Sequence, residues 1–230
     1  GEVIFFRMVF GLIPLFLVVP KDRWKNLLAT KKPGLHFVRG FAGTAALIAV
    51  YASLHYLPLA QTVSLTFASP IFSTILSIVV LHEVVRVRRW AAIILGFIGV
   101  CVLINPFSAE FSIYMLLPLI FCFFFGIVSI SIRKLSETEP TYLVALYFTI
   151  FGTIASLLTI PFFGDWQLPA SSFDFLILSC VGIFGGIGNL ALTSAFKNAE
   201  VSIVTPLKYI GLIYAMIFGY LIWGEVPTWN

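Results

Sequence analysis

The sequence predicts an all-α polytopic membrane protein: eight transmembrane helices arranged as an inverted structural repeat. Three observations lead there. Of 230 residues, 60% are hydrophobic and 10% are charged, against about 25% charge in an average soluble domain; mean hydropathy is +1.05. Apolar runs recur from end to end, each near the roughly 20 residues that cross a bilayer. The basic residues between the runs alternate, one connection rich in Lys and Arg and the next holding none.

The runs are, within a few residues at each end, 4–19, 36–56, 60–81, 89–105, 112–132, 141–163, 173–196 and 201–223. Their connections are short, so neighbours in sequence should be antiparallel neighbours in space. The chain opens without Met on EVIFFRMVF, as a fragment beginning beside a membrane helix would, and no signal peptide is visible. After the first run come Lys21, Arg23, Lys25, Lys31 and Lys32; after the third, Arg86, Arg88 and Arg89; after the fifth, Arg133 and Lys134; after the seventh, Lys197. The positive-inside rule therefore places loops 20–35, 82–89, 133–140 and 197–200 in the cytoplasm, and both chain ends outside. Glu110, Asp165 and Asp174 fall in the outer loops. Trp24, Trp90, Trp166, Trp223 and Trp229 lie at or beyond run ends, where amphipathic rings meet the headgroups. The net charge of +4 thus reads as membrane topology, with the lipid bilayer as partner, and not as a nucleic-acid surface. Cys101, Cys122 and Cys180 each sit inside an apolar run and read as small buried residues, implying neither disulfides nor a metal. No cofactor is expected.

Sliding the chain against itself by 142 residues brings RGFAGTAALIAVYASLHYLPLAQTVSLTFASPIFSTILSIVVLHEV onto VGIFGGIGNLALTSAFKNAEVSIVTPLKYIGLIYAMIFGYLIWGEV without a gap. Gly40 meets Gly182, Gly43 meets Gly185, Leu65 meets Leu207 and Glu83 meets Glu225. The second run points outward and its copy, the seventh, inward, so the repeat is inverted and needs an odd number of helices per unit. The domains expected are 1–106, a first repeat lacking its first helix, and 107–230, a second lacking its last, from a ten-helix parent. Inverted repeats are a recurring plan of secondary transporters, with substrate held near mid-membrane.

The segment YLPLAQTVSLTFASPIFSTILSIVVLHEVVRVRRWAAIILGFIGVCVLI carries Pro58, Pro70, a Glu at a helix end, Trp90 and a final helix with Gly96 and Gly99. It resembles the end of an EamA-type repeat of the drug/metabolite transporter superfamily, and NAEVSIVTPLKYIGLIYAMIFGYLIWGE resembles the same part of a second repeat. The family pattern usually ends the helix with L-G-E; Trp223-Gly224-Glu225 is close, and Leu81-His82-Glu83 departs by carrying His82. The resemblance implies ten helices, two inverted repeats, a bacterial cytoplasmic (inner) membrane location, and export or exchange of small metabolites. The basic first loop and RGFAGTAALIAVYASLHYLP are similar to bacterial members often labelled S-adenosylmethionine transporters.

Arg7, Arg39 and Lys208 lie within runs, where an ionisable group usually faces a cavity or a partner. Lys208 sits about seven residues into the last run, after Thr205-Pro206, where the proline frees a backbone carbonyl. It is the strongest pathway candidate, against snorkelling or a structural ion pair. Arg7 is balanced between pathway and snorkelling; Arg39, at the cytoplasmic edge of its run, is expected to snorkel. Gln61, Ser64, Thr66, Asn189, Thr193 and Ser194 line the path or join helices, and Tyr51, Tyr209 and Tyr214 are candidate cavity walls. Glu83 and Glu225 sit at helix ends, to fix those ends or to gate. The substrate pathway expected is therefore Lys208, Arg7, Asn189, Gln61, Tyr209 and Thr205. The basic excess favours an anionic or zwitterionic metabolite.

Catalysis would need a nucleophile with its base, or clustered ligands; no such constellation is present, so no catalytic residue and no enzyme are expected. The leading reading is a secondary transporter of small polar metabolites by alternating access. An S-adenosylmethionine or nucleotide-type exchanger, or a non-transporting membrane assembly subunit, are the alternatives, and a homodimer is one form it could take. Gly186, Gly188 and Ala191 spell G-x-G-x-x-A. A dinucleotide fingerprint needs a preceding strand and an acid about 20 residues on, and these glycines lie inside one apolar helix. Gly182-x-x-x-Gly186 instead reads as a packing face, the small-xxx-small pattern of membrane helices.

Overall fold

The structure, a computed structural model, describes residues 2–104, 112–158, 169, 171–211, 213, 214, 217 and 221. Among them every regular element is helical. In chain order these are α1 (Glu2–Val18), α2 (Pro33–Tyr56), α3 (Leu59–Thr66), α4 (Ser69–Leu81), α5 (Val87–Ile104), α6 (Leu116–Leu135), α7 (Thr141–Leu157), α8 (Ser172–Asn198) and α9 (Val201–Val204). Short 3-10 turns run over Lys21–Asn26, Ile113–Met115 and Thr205–Tyr209. The helices fall on the predicted runs, with two differences. The run 60–81 is not one helix but α3 and α4, and the run 201–223 opens as α9 followed by a 3-10 turn. Glu225, Trp166, Trp223 and Trp229 lie outside the described residues, as do 159–163 of the sixth run.

Proline sets four of the helix starts. Pro33 opens α2, Pro58 and Pro140 precede α3 and α7, and Pro70 lies in the first turn of α4. A fixed φ and a missing N–H suit a first helical turn and little else. Among the described residues, four spans are long and apolar enough to cross a membrane: Pro33–Tyr56, Gln61–Leu81, Ile113–Leu135 and Ser172–Asn198; α7 is a shorter apolar helix. Leu17 on α1, Val79 on α4, Leu95 on α5, and Leu176 and Phe184 on α8 stand exposed, the face that lipid covers.

The chain divides into two compact units, Gly1–Leu47 with Ser131–Asn198, and Ile48–Ile130 with Ala199–Asn230. Each takes segments from both sequence halves.

In unit 1, α1, α7 and α8 pack on one another. The contact is bare backbone: a Cβ on Gly186 would meet the Gly11 carbonyl and lie 2.7 Å from Pro14 Cγ, and one on Gly182 would meet Phe10 and the Phe6 carbonyl at 3.1 Å. This is the packing face expected of Gly182-x-x-x-Gly186. Leu15, Ala145 and Leu146 form the core beneath it, with Leu12, Phe16, Ile150 and Leu190 around them. At the basic end of unit 1 the loops are tied together. Glu139 accepts from Thr30 Oγ1 (2.8 Å) and the Lys31 N–H (2.7 Å), Lys32 Nζ donates to the Lys134 carbonyl (3.0 Å), and Arg133 to the Lys197 carbonyl (2.7 Å).

In unit 2, α4 ends on His82, whose φ of 55° and ψ of 32° are left-handed. The reversal turns Glu83 onto the start of α9, where its carboxylate accepts the N–H groups of Val201 (2.9 Å) and Ser202 (3.1 Å). Arg89 donates beside it to Glu200 and to Ser202 Oγ.

Candidate functional site

The interruption between α3 and α4 follows from Pro70. Lacking an N–H, it leaves the Thr66 carbonyl without its i+4 donor. The chain tightens into 3-10 bonds, Phe67 N–H to Ser64 (3.0 Å) and Ala68 N–H to Leu65 (3.1 Å). The buried Cys122 thiol, from α6, reaches the Leu65 and Thr66 carbonyls at 3.4 and 3.5 Å. Non-helical backbone at membrane depth is tolerated where protein buries it or where it lines a cavity.

Facing this break is the second one, Thr205–Tyr209. Thr205 is buried and donates to the Val201 carbonyl (3.0 Å). Lys208 Nζ donates to Ser69 Oγ at 2.7 Å, the first residue of α4. Its charge lies 4.0 Å from the centre of the Phe125 ring and 5.3 Å from that of Phe121, both on α6. The side chain is partly buried, and aromatic faces stabilise a cation that water has left. Tyr209 OH donates to the Ile93 carbonyl (3.3 Å), and its ring stacks on Phe67 (6.0 Å between centres, 21° between planes). That ring fills the space over Gly96, where a Cβ would come within 2.5 Å of it. Lys208 therefore stands between two interrupted helices and an aromatic wall. Among the described residues no carboxylate lies within ion-pair distance of it.

Of the predicted pathway residues, Lys208, Thr205 and Tyr209 share this turn. Gln61 lies in the first turn of α3, partly buried, and Glu83 caps α9. Arg7 and Asn189 belong to unit 1. There Arg7 lies along Gly185, whose Cβ would be 3.0 Å from its Nε. Asn189 has both ends engaged: Oδ1 accepts from Arg39 (3.2 Å) and Nδ2 donates to the Ala145 carbonyl (3.4 Å). Thr66 and Thr193 turn their hydroxyls back to helix carbonyls, Val63 at 2.5 Å and Asn189 at 2.7 Å.

Arg39 differs from expectation. Placed at the edge of its run, it should snorkel; it is 2% exposed, with Phe148 stacked 4.0 Å from its guanidinium. Gly43, one turn along α2, makes the room, since a Cβ there would stand 2.5 Å from both Arg39 Nη1 and the Phe148 ring. Ser69, Phe121 and Phe125 were not singled out by the sequence; the small polar residue directly before Pro70 was the available signal for the first.

Apolar helices of spanning length, interrupted around a partly buried cation, are the plan of a membrane carrier. The chain belongs to the EamA-like transporter family, whose model matches residues 1–105 and 112–230, and it is a multi-pass membrane transporter. It is similar to the pseudopaline exporter CntI of Pseudomonas aeruginosa (29% identity, 99% of this chain and 79% of that protein). It also resembles the riboflavin transporter of Vibrio cholerae (30%, 88% of this chain and 68% of that protein). A third relative is the S-adenosylmethionine uptake transporter of Rickettsia prowazekii (27%, 98% and 76%). A solved crystal structure shares the fold, with a TM-score of 0.77 at 17% identity over 98% of this chain and 78% of the other.

Proposed function

We propose that this chain is a secondary transporter of small polar metabolites that carry an anionic or zwitterionic group, working by alternating access across the cytoplasmic membrane, as a carrier and not an enzyme. The observation that carries this reading is Lys208. Its ammonium is held by one neutral hydroxyl and two ring faces, a setting that leaves its charge available to a substrate carboxylate or phosphate. The relatives' names give three different small-molecule cargoes, pseudopaline, riboflavin and S-adenosylmethionine. A second reading, exchange of S-adenosylmethionine or a nucleotide-type metabolite, is favoured by Phe67, Phe121, Phe125 and Tyr209 near Lys208, because ring faces accept a planar base.

The halves 1–106 and 107–230 act in this proposal as inverted repeats. The offset of 142 sets Thr66 on Lys208 and Phe67 on Tyr209, so the two interruptions correspond. Phe67 and Tyr209 also stack on each other, as symmetry-related residues do beside a two-fold axis. The ties of Arg133 to Lys197, Lys32 to Lys134 and Glu83 to Val201 support placing the basic loops together in the cytoplasm.

The test is flux. With the purified protein in liposomes and a panel of labelled carboxylates, amino acids and nucleosides, Lys208→Met should lower uptake of the transported compound about ten- to a hundredfold. That follows from losing a charge-assisted hydrogen bond of about 1.5–3 kcal/mol, at about 1.4 kcal/mol per factor of ten. No flux of any compound in the wild type would overturn the carrier, and undiminished flux in the variant would remove Lys208 from the site.

A further inference from the structure

Unit 1 holds a cation that its own residues do not satisfy. Arg39 is 2% exposed. Of its three guanidinium nitrogens, Nη2 donates to Asn189 Oδ1 (3.2 Å), while Nε and Nη1 have no acceptor among the described residues. No carboxylate among them comes within ion-pair distance. Two more hydrophilic positions of α2 are in the same condition: His36, on the same helix face one turn before, has neither ring nitrogen hydrogen-bonded among the described residues, and Thr44 Oγ1 has no partner there.

A guanidinium stays charged in a protein, and an unpaired buried charge is among the least favourable groups a fold can contain. The surrounding residues nevertheless position it. Asn189 is clamped between Arg39 and the Ala145 carbonyl, which fixes the acceptor for one nitrogen. Phe148 lies 4.0 Å from the guanidinium on one face. Gly43 gives up a side chain where Nη1 lies. A group positioned on three sides, with its remaining donors unmet, is organised for a ligand and not for the fold.

We propose that Arg39 is an oxyanion-binding residue, its Nε and Nη1 donors taking the carboxylate or phosphate oxygens of a small-molecule ligand, with Asn189 and Phe148 positioning the guanidinium. Planar carboxylates and phosphates match its fork of donors. In this conformation the guanidinium is closed off, so the ligand reaches it when the helices of unit 1 part. The proposal goes beyond the transport reading, which rests on Lys208, and its test reads binding, not flux.

The full chain in phosphatidylcholine nanodiscs is unfolded by heat in sodium acetate, succinate or phosphate, with sodium chloride of equal ionic strength as control. At least one oxyanion should raise Tm saturably, because a ligand that binds the folded state stabilises it, and chloride should not. Arg39→Met should raise Tm without ligand, since it removes an unmet buried charge, and should abolish the oxyanion shift. Arg39→Lys should keep a reduced shift, and the Arg39 variants are compared in the Lys208→Met background, so that anion binding at Lys208 does not enter. The proposal is overturned if no oxyanion shifts the wild type, or if the shift survives Arg39→Met. It is equally overturned if Arg39→Met lowers ligand-free Tm or does not fold, since the charge then serves the structure. Stabilisation by phosphatidylglycerol in the disc with none from the soluble anions would give the site to a lipid headgroup and overturn the small-molecule reading.

Discussion

Arg39 in unit 1 and Lys208 in unit 2 are both cations in apolar helices, and the backbone around them differs. Arg39 sits in α2, wound without a break for 24 residues, so each helix carbonyl near it is committed to the ladder. Its acceptor is a side chain borrowed from α8. Lys208 sits in a 3-10 turn beside the break between α3 and α4, and the break brings it a hydroxyl at the first residue of α4. The contacts between helices differ in the same sense. Unit 1 joins α1 to α8 backbone to backbone. Unit 2 joins its helices through side chains, the Glu83 cap and the Tyr209 ring. A backbone contact cannot yield without the helices separating, whereas a side-chain contact yields by a rotamer change. The difference teaches where motion is cheap: unit 2 can rearrange within its packing, and unit 1 opens only by parting helices.

The largest effect that could break this comparison is on glycine. In Gly186→Ala the new methyl meets the Gly11 carbonyl and Gly11 Cα at 2.9 Å, and neither can step aside. Forced overpacking of this kind costs about 1–3 kcal/mol, and the upper end is expected here. In Gly126→Ala, on α6 of unit 2, the methyl meets Leu76 Cδ1 at 2.7 Å, the far end of a flexible side chain. The helix propensity gained, about 1 kcal/mol, offsets the repacking, and stability should stay near wild type. Reversible unfolding in mixed micelles checks both; equal losses in the two variants would end the distinction.

Much of the fold was legible in the sequence because a membrane span is a matter of length and composition. The run ends, the basic loops and the Gly182–Gly186 face needed no knowledge of the partner helix. The sites were less legible because they depend on it. The depth of Arg39 along α2 suggested snorkelling, but its burial is decided by Phe148, more than a hundred residues away, and by Asn189. Lys208 was singled out from its own neighbourhood, yet Ser69 and Phe125 came from helices that no local pattern links to it. Pro206 was expected to free a backbone carbonyl in the last run; the matching break at Phe67 and Ala68 follows from Pro70, which the sequence offered as a family feature without its consequence.

A smaller effect should separate the two readings of Glu83, helix end or gate. Its carboxylate accepts two N–H groups at the start of α9. Glu83→Gln leaves a single carbonyl oxygen and removes the charge, so stability should fall by about 1 kcal/mol, the typical worth of a cap. Flux should fall only as far as the folded fraction does. Loss of transport at unchanged stability would make Glu83 a gate, and unit 2 would then owe its mobility to this residue and not to its broken helices.

The smallest effect has the opposite sign. His82 adopts φ 55°, a left-handed conformation that brings an L side chain close to its own backbone and costs about 1 kcal/mol or more, and that glycine adopts freely. The turn is still needed, because it ends α4 with the His82 and Glu83 N–H groups on the Ser77 carbonyl, the latter at 3.2 Å, and aims the Glu83 carboxylate at α9. The Gly of the family's L-G-E pattern is therefore a conformational requirement, which this chain meets with a strained histidine. His82→Gly should raise stability by about 0.4–1 kcal/mol, less than the strain itself because glycine also frees the unfolded chain. The gain should vanish in the double variant His82→Gly, Glu83→Ala if the turn serves chiefly to deliver the cap. A decrease in the single variant would show that the imidazole makes a contact worth more than the strain, and that this end of unit 2 is held by side-chain packing and not by backbone geometry.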